Sequence, residues 1–70
     1  MTAGDELENW INLCFKARHL QIFSVARAAS AKIIRLGNPQ NWHIIIDFFE
    51  RVGDGENLRQ AYRAKSYQLN

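Results

Sequence analysis

Apolar residues recur along this chain at the three- and four-residue spacing that places them on one face of an α-helix, the face that is expected to be buried. The first such stripe consists of Leu7, Trp10, Ile11, Cys14 and Phe15. A second stripe, in the other half of the chain, consists of Trp42, Ile45, Ile46, Phe49 and Val52, and a weaker one of Leu58, Ala61, Tyr62 and Leu69. The pattern predicts an all-α fold.

Residues that favour helix ends lie between these stripes. Gly37 is expected in the left-handed conformation that terminates a helix. Asn38 is expected to cap the next helix, with Pro39 in its first position, where the missing N–H is not needed. The segment Gly53-Asp54-Gly55 is expected to end this third helix and to begin the fourth.

The first half of the chain has no such signal in its interior. Asp5 and Glu8 have the spacing of a capping box, so the first helix is expected to begin at Asp5. A helix that continued from there to Leu36 would be about 48 Å long, whereas a chain of this size has an expected radius of gyration of about 11 Å. We therefore place a break near Arg18-His19, with one continuous helix as the alternative.

The predicted architecture is a small bundle of about four helices, forming a single domain over residues 1–70. Its helices are expected to pair as two antiparallel hairpins, residues 5–36 and 39–69. A modest repeat relates the halves, because Asn9-Trp10 matches Asn41-Trp42 at an offset of 32 residues. Arg27-Ala28-Ala29-Ser30 resembles Arg63-Ala64-Lys65-Ser66 at an offset of 36, which predicts four additional residues around the turn of the second hairpin.

The stretch from Ile34 to Gly53, IRLGNPQNWHIIIDFFERVG, resembles the junction between two helical-hairpin repeats of the tetratricopeptide and pentatricopeptide type. That resemblance implies a scaffold that binds proteins or, in the pentatricopeptide case, single-stranded RNA. The order of a tryptophan helix, a glycine-containing turn and an amphipathic helix is also similar to bacterial death-like, effector-associated adaptor domains. Both resemblances imply a binding module.

The composition favours binding over catalysis. Seventy residues, 47% of them hydrophobic, are enough for one core and leave little room for a deep cleft. Cys14 is the sole cysteine, so an internal disulfide is excluded and a reducing, cytoplasmic compartment is expected. The acidic amino end is unlike a signal peptide, and the apolar runs are too short for a membrane span, so no membrane association is expected.

The candidate chemistry is sparse. His43 and Asp47 are four residues apart and would share a helical face, but no nucleophile or third ligand accompanies them. A solvated polar edge, with Arg51 paired to Asp47, explains them more simply. We therefore expect no enzymatic activity, catalytic residue, metal, cofactor or small-molecule substrate.

The third helix is expected to bind a partner protein or a second copy of the chain. Ile44 and Phe48 broaden its apolar stripe until only a narrow polar edge is left, more apolar surface than one small core needs. Trp42 is a candidate anchor for that interface, and the simpler alternative is that it packs the start of its own helix into the core. The leading hypothesis is a protein–protein interaction module, an adaptor or small regulator that self-associates.

The alternative is a small regulator that binds nucleic acid. The chain has no acidic residue between Glu8 and Asp47. Basic residues are spaced along single helical faces of the second helix (Arg27, Lys32 and Arg35) and of the fourth (Arg59 and Arg63). Such faces suit a phosphate backbone.

Overall fold

A computed structural model of the chain describes residues 3–69, and these form four α-helices and no β-strand. The helices are α1 (Ala3–His19), α2 (Phe23–Arg35), α3 (Trp42–Arg51) and α4 (Gly55–Leu69). The predicted all-α class is confirmed. The chain divides into two compact units, Met1–Leu36 and Gly37–Asn70, in which α1 packs against α2 and α3 against α4.

The turn of the first hairpin confirms the break that we expected near Arg18-His19. Helix α1 ends at His19, and Gln21 then adopts a left-handed conformation with φ of 61°. The Ile22 N–H donates to the Ala17 carbonyl at 2.8 Å, and the Gln21 N–H donates to the Arg18 carbonyl at 3.1 Å. These are the two hydrogen bonds of a Schellman motif, which here reverses the chain without glycine.

Small side chains line the contact between α1 and α2. Cys14 is fully buried, as predicted, and its Sγ lies 3.3 Å from the Ser30 Oγ. The Ser30 hydroxyl donates to the Ala26 carbonyl at 2.8 Å, so this buried polar group is satisfied within its own helix. Ala26 and Ala29 are buried beside them, and their short side chains allow the two helices to approach closely.

The turn of the second hairpin is also a Schellman motif, and here its positions are filled by the residues that this motif favours. Gly53 takes the left-handed position with φ of 72°, and the Asp54 N–H donates to the Phe49 carbonyl at 3.0 Å. Asp54 caps α4, because its Oδ1 accepts from the Asn57 N–H at 3.1 Å and its Oδ2 from the Asn57 Nδ2 at 2.7 Å. The predicted start of the fourth helix is therefore confirmed.

A reciprocal pair of asparagines leads the chain into α3. The Asn38 Oδ1 accepts from the Gln40 N–H at 2.9 Å and from the Asn41 N–H at 3.1 Å. In return, the Asn41 Oδ1 accepts from the Asn38 N–H at 2.7 Å. Asn38 thus caps a turn over residues 39–41, and α3 itself begins three residues later than Pro39, at Trp42.

Gly37 was expected to be needed for a left-handed backbone conformation, and this reason was wrong. Its φ is not positive; instead, a Cβ at this position would overlap the Trp42 ring. The Trp42 Nε1 donates to the Gln68 Oε1 at 2.7 Å, and the Gln68 Nε2 donates to the Gly37 carbonyl at 2.9 Å. These contacts join the start of α3 to the end of α4, as expected of an antiparallel hairpin.

Two further expectations need correction. Helix α1 is already formed at Ala3, so Asp5 lies inside its first turn and does not cap it. A carboxylate there still interacts favourably with the helix dipole. The repeat contains no insertion at the second turn, because Gln21 and Gly53 hold equivalent positions and so do Phe23 and Gly55. The 32-residue offset of the tryptophans therefore persists through both turns.

Candidate docking surface

The residues that we expected on a partner-binding face of α3 are mostly in the core. Trp42 is 2% exposed and Phe48 is 8% exposed, whereas Ile44 is 45% exposed. The centroids of the Phe48 and Phe49 rings lie 5.3 Å apart, and the rings are tilted relative to each other, as is typical of aromatic packing. In this conformation only Ile44 of the three is available to a partner.

The predicted basic residues are at the surface, on two different hairpins. Arg27 and Arg35 on α2 and Arg59 and Arg63 on α4 are exposed, and Lys32 is half-buried. On α4, Arg59 and Arg63 are separated by one helical turn and line a shallow depression together with Glu56 and Gln60. Each of α2 and α4 thus presents a pair of exposed arginines.

The sequence analysis missed a concentration of exposed apolar residues on the first hairpin. Nine large apolar side chains are exposed within residues 5–68, and six of them belong to this hairpin: Leu13, Phe15, Leu20, Ile22, Phe23 and Val25. Phe15 had been expected in the buried stripe of α1, but it is 59% exposed. The surplus apolar surface therefore lies mainly on the first hairpin and not on α3.

Three of these residues are adjacent at the turn between α1 and α2. Leu20, Ile22 and Phe23, here called the first tip, are 55%, 44% and 65% exposed. At the same positions of the second hairpin the chain has Val52, Asp54 and Gly55.

Local structure does not require apolar residues at the first tip. Ile22 is the residue before α2 and makes no side-chain cap hydrogen bond, whereas the equivalent Asp54 caps α4. Isoleucine is among the least favoured residues at a helix cap. Aligning the two turns at the 32-residue offset would have shown this contrast from the sequence alone.

The surroundings of the first tip are basic. Lys16 is one helical turn before Leu20, and Arg27 is one helical turn after Phe23, so each lies on the same face as its apolar neighbour. Both are exposed, as is His19. The first tip therefore combines three apolar side chains with positive charge and no nearby carboxylate in the sequence.

The exposed side of α3 has the opposite character. Ile44, Asp47 and Glu50 are three residues apart in succession and form what we call the acidic face. All three are exposed. The Arg51 Nε lies 3.0 Å from the Asp47 Oδ2, which confirms the pairing that we expected along this edge.

His43 and Asp47, the only pair of side chains considered for catalysis, are both exposed on α3. Asp47, which a catalytic dyad would pair with His43, is in solvent and paired with Arg51 instead. Within residues 3–69, no three His, Cys, Asp or Glu side chains are grouped to hold a metal ion. No helix in this described part is both long and apolar enough to cross a membrane.

Comparison of the chain with models of protein families, with curated proteins and with solved structures finds no match.

Proposed function

We propose that this chain is a protein–protein interaction module that associates with copies of itself, and that the first tip is its main docking element. The observation that carries the proposal is the contrast between the two turns. Both have the same backbone motif, but only the first exposes three large apolar residues.

The choice of residues at the first tip opposes local stability. A non-glycine residue in the left-handed conformation costs about 1–2 kcal/mol, and an apolar helix cap costs about 1 kcal/mol relative to aspartate. Single exposed apolar residues are ordinary on protein surfaces, but a contiguous group that also breaks local preferences is typical of a functional site. An interface that covers Leu20, Ile22 and Phe23 would explain their presence.

The proposal is tested by measuring mass in solution across a range of protein concentrations. We expect the wild-type chain to associate at micromolar concentrations and to remain associated in high salt, because apolar burial is little affected by ionic screening. The double variant Leu20→Ser/Phe23→Ser should remain monomeric. Its matched control, Tyr62→Ser/Tyr67→Ser, removes two exposed aromatic side chains from α4 and should associate like the wild type.

Circular dichroism should show the same helix content in all three proteins, since every substituted side chain is largely exposed. A wild-type chain that is monomeric at high micromolar concentration would refute self-association. A tip variant that associates as strongly as the wild type would refute the role of the first tip.

A second candidate function, nucleic-acid binding, is favoured by the exposure of Arg27 and Arg35 on α2 and of Arg59 and Arg63 on α4. It predicts affinity for DNA or RNA that falls steeply as salt is added, because bound phosphates release counterions. The double variant Arg27→Glu/Arg63→Glu should abolish that binding. Absence of any complex with DNA or RNA at low salt would exclude this function.

A further inference from the structure

We infer that the first tip docks onto the acidic face of α3 in a second copy of this chain. This rests on the proposed self-association and specifies its geometry. Two sites of different character would meet, one apolar and basic, the other acidic with an exposed apolar residue.

Pairing of two first tips is disfavoured by charge. Lys16 and Arg27 flank the apolar residues on either side and are exposed, as is His19. Two such surfaces in contact would bring like charges together, and the chain has no acidic residue between Glu8 and Asp47 to separate them. Like charges across an interface oppose association, so a surface that carries carboxylates is favoured to cover the first tip.

The carboxylates of the chain lie at the start of α1, on α3 and at the start of α4, where Asp54 caps the helix and Glu56 is one turn before the polar residues Arg59 and Gln60. Asp5 and Glu8 are exposed, but neither is beside an exposed large apolar residue, since Trp10 and Ile11 are half-buried. On α3, Ile44 is 45% exposed and lies one helical turn from Asp47. The acidic face therefore offers both charge and apolar area, as the first tip requires.

The Asp47–Arg51 pair does not prevent this contact. Its side chains are 59% and 78% exposed, so the pair is in water and is weakly held. Asp47 can exchange Arg51 for Lys16 or Arg27 of another copy at little cost, and Glu50 adds a second carboxylate one turn away. Complementary charge would set which surfaces meet, and burial of the apolar residues would supply most of the affinity.

A contact of this kind joins two different surfaces, so after one contact one copy still has a free acidic face and the other a free first tip. The remaining surfaces can close the pair into a reciprocal dimer, or bind further copies in a ring or an open chain. The inferred contact thus makes a specific prediction about what happens when one surface is removed.

The test is a mixing experiment with two variants, measured by sedimentation. The tip variant is Leu20→Ser/Phe23→Ser, and the face variant is Ile44→Ser/Glu50→Lys. We expect each alone to be monomeric, and an equimolar mixture to form a dimer and nothing larger, because only one intact pair of surfaces remains. Wild-type protein should associate more strongly than this mixture, because both pairs of surfaces remain intact.

A matched control for the face variant is Tyr62→Ser/Glu56→Lys, which removes the same kinds of side chain from the exposed surface of α4. It should associate like the wild type. A face variant that still associates with itself would overturn the docking of the first tip onto the acidic face. A mixture of the two variants that stays monomeric would do the same. Both outcomes leave the proposed function in place. A monomeric wild-type chain would instead refute the proposed function.

Discussion

Gln21 and Gly53 hold the same position in two turns of the same kind, with φ of 61° and 72°. Glycine adopts this conformation without steric cost, whereas the Cβ of glutamine crowds the backbone there. We expect Gln21→Gly to raise the free energy of unfolding by about 1 kcal/mol. The reciprocal change, Gly53→Gln, should lower it by a similar amount, since a Cβ at Gly53 meets no other atom within 4 Å.

Urea denaturation of the two variants and the wild type checks this pair. Measurements are made at low protein concentration so that association does not contribute. A loss of stability in Gln21→Gly would show that Gln21 is not left-handed in solution.

Gly37 is required for space, unlike Gly53. A Cβ at Gly37 would overlap the ring of Trp42, which is itself buried and held by Gln68. Overpacking of this kind costs about 1–3 kcal/mol, and we expect that loss from Gly37→Ala in thermal or urea denaturation. Gly55→Ala is the control: its Cβ would meet nothing, and alanine in place of glycine at the start of α4 should be neutral or stabilising by about 0.5–1 kcal/mol. Equal effects at both positions would contradict the proposed contact.

At the scale of helices, the accuracy of the sequence analysis followed the strength of the local signals. The turn at Gly53-Asp54-Gly55 was predictable because each residue suits its place in the motif. The turn at Gln21 was located only by the limit on helix length, since its residues favour neither a left-handed conformation nor a cap. The same absence of signal concealed the first tip.

The apolar stripe of α3 shows a second limit. Spacing identified the helix and most of its buried residues, but Ile44 and Phe48 are both apolar and lie beside the same stripe. Only the packing of the folded chain makes Phe48 buried and leaves Ile44 exposed. Trp42 was likewise ambiguous, because its burial depends on Gly37 and Gln68, and Gln68 is 26 residues away along the chain.

Gln68 closes the second hairpin by linking α4 to both Trp42 and Gly37. Gln68→Ala would leave the Trp42 indole N–H and the Gly37 carbonyl without this partner, and we expect a loss of about 1–3 kcal/mol. Gln68→Glu retains the acceptor for Trp42 but loses the donor to Gly37, so its effect should be smaller. In a Trp10→Phe background, the fluorescence of Trp42 should shift to longer wavelength in Gln68→Ala. An unchanged spectrum and stability would show that the link does not form in solution.

At the scale of the whole molecule, the two hairpins have turns of the same type but expose different side chains. The first presents apolar side chains among basic ones, and the second presents carboxylates around Ile44. Under the proposed self-association, stability and association make opposite demands on the first tip: residues that suit the turn would remove the proposed docking surface. Such a conflict is common where a binding site is built on a folding element.

Ile22→Asp separates these two demands. Aspartate at this position reproduces the cap that Asp54 gives α4, so we expect the monomer to gain about 1 kcal/mol of stability. The same change removes an exposed apolar side chain from the first tip and places a negative charge opposite Asp47 and Glu50, so association should weaken. The predicted variant is thus more stable as a monomer and less able to associate.

Melting temperature at several protein concentrations measures both effects together. We expect association of the folded state to raise the wild-type free energy of unfolding as concentration increases, by about 2.7 kcal/mol at a hundred times the dissociation constant. The melting temperature should rise with it. For a domain of this size, each kcal/mol corresponds to about 4–8 °C. Ile22→Asp should therefore melt higher than the wild type in dilute solution and show a smaller rise with concentration. A steeper rise in the variant would mean that the first tip is not where the copies meet.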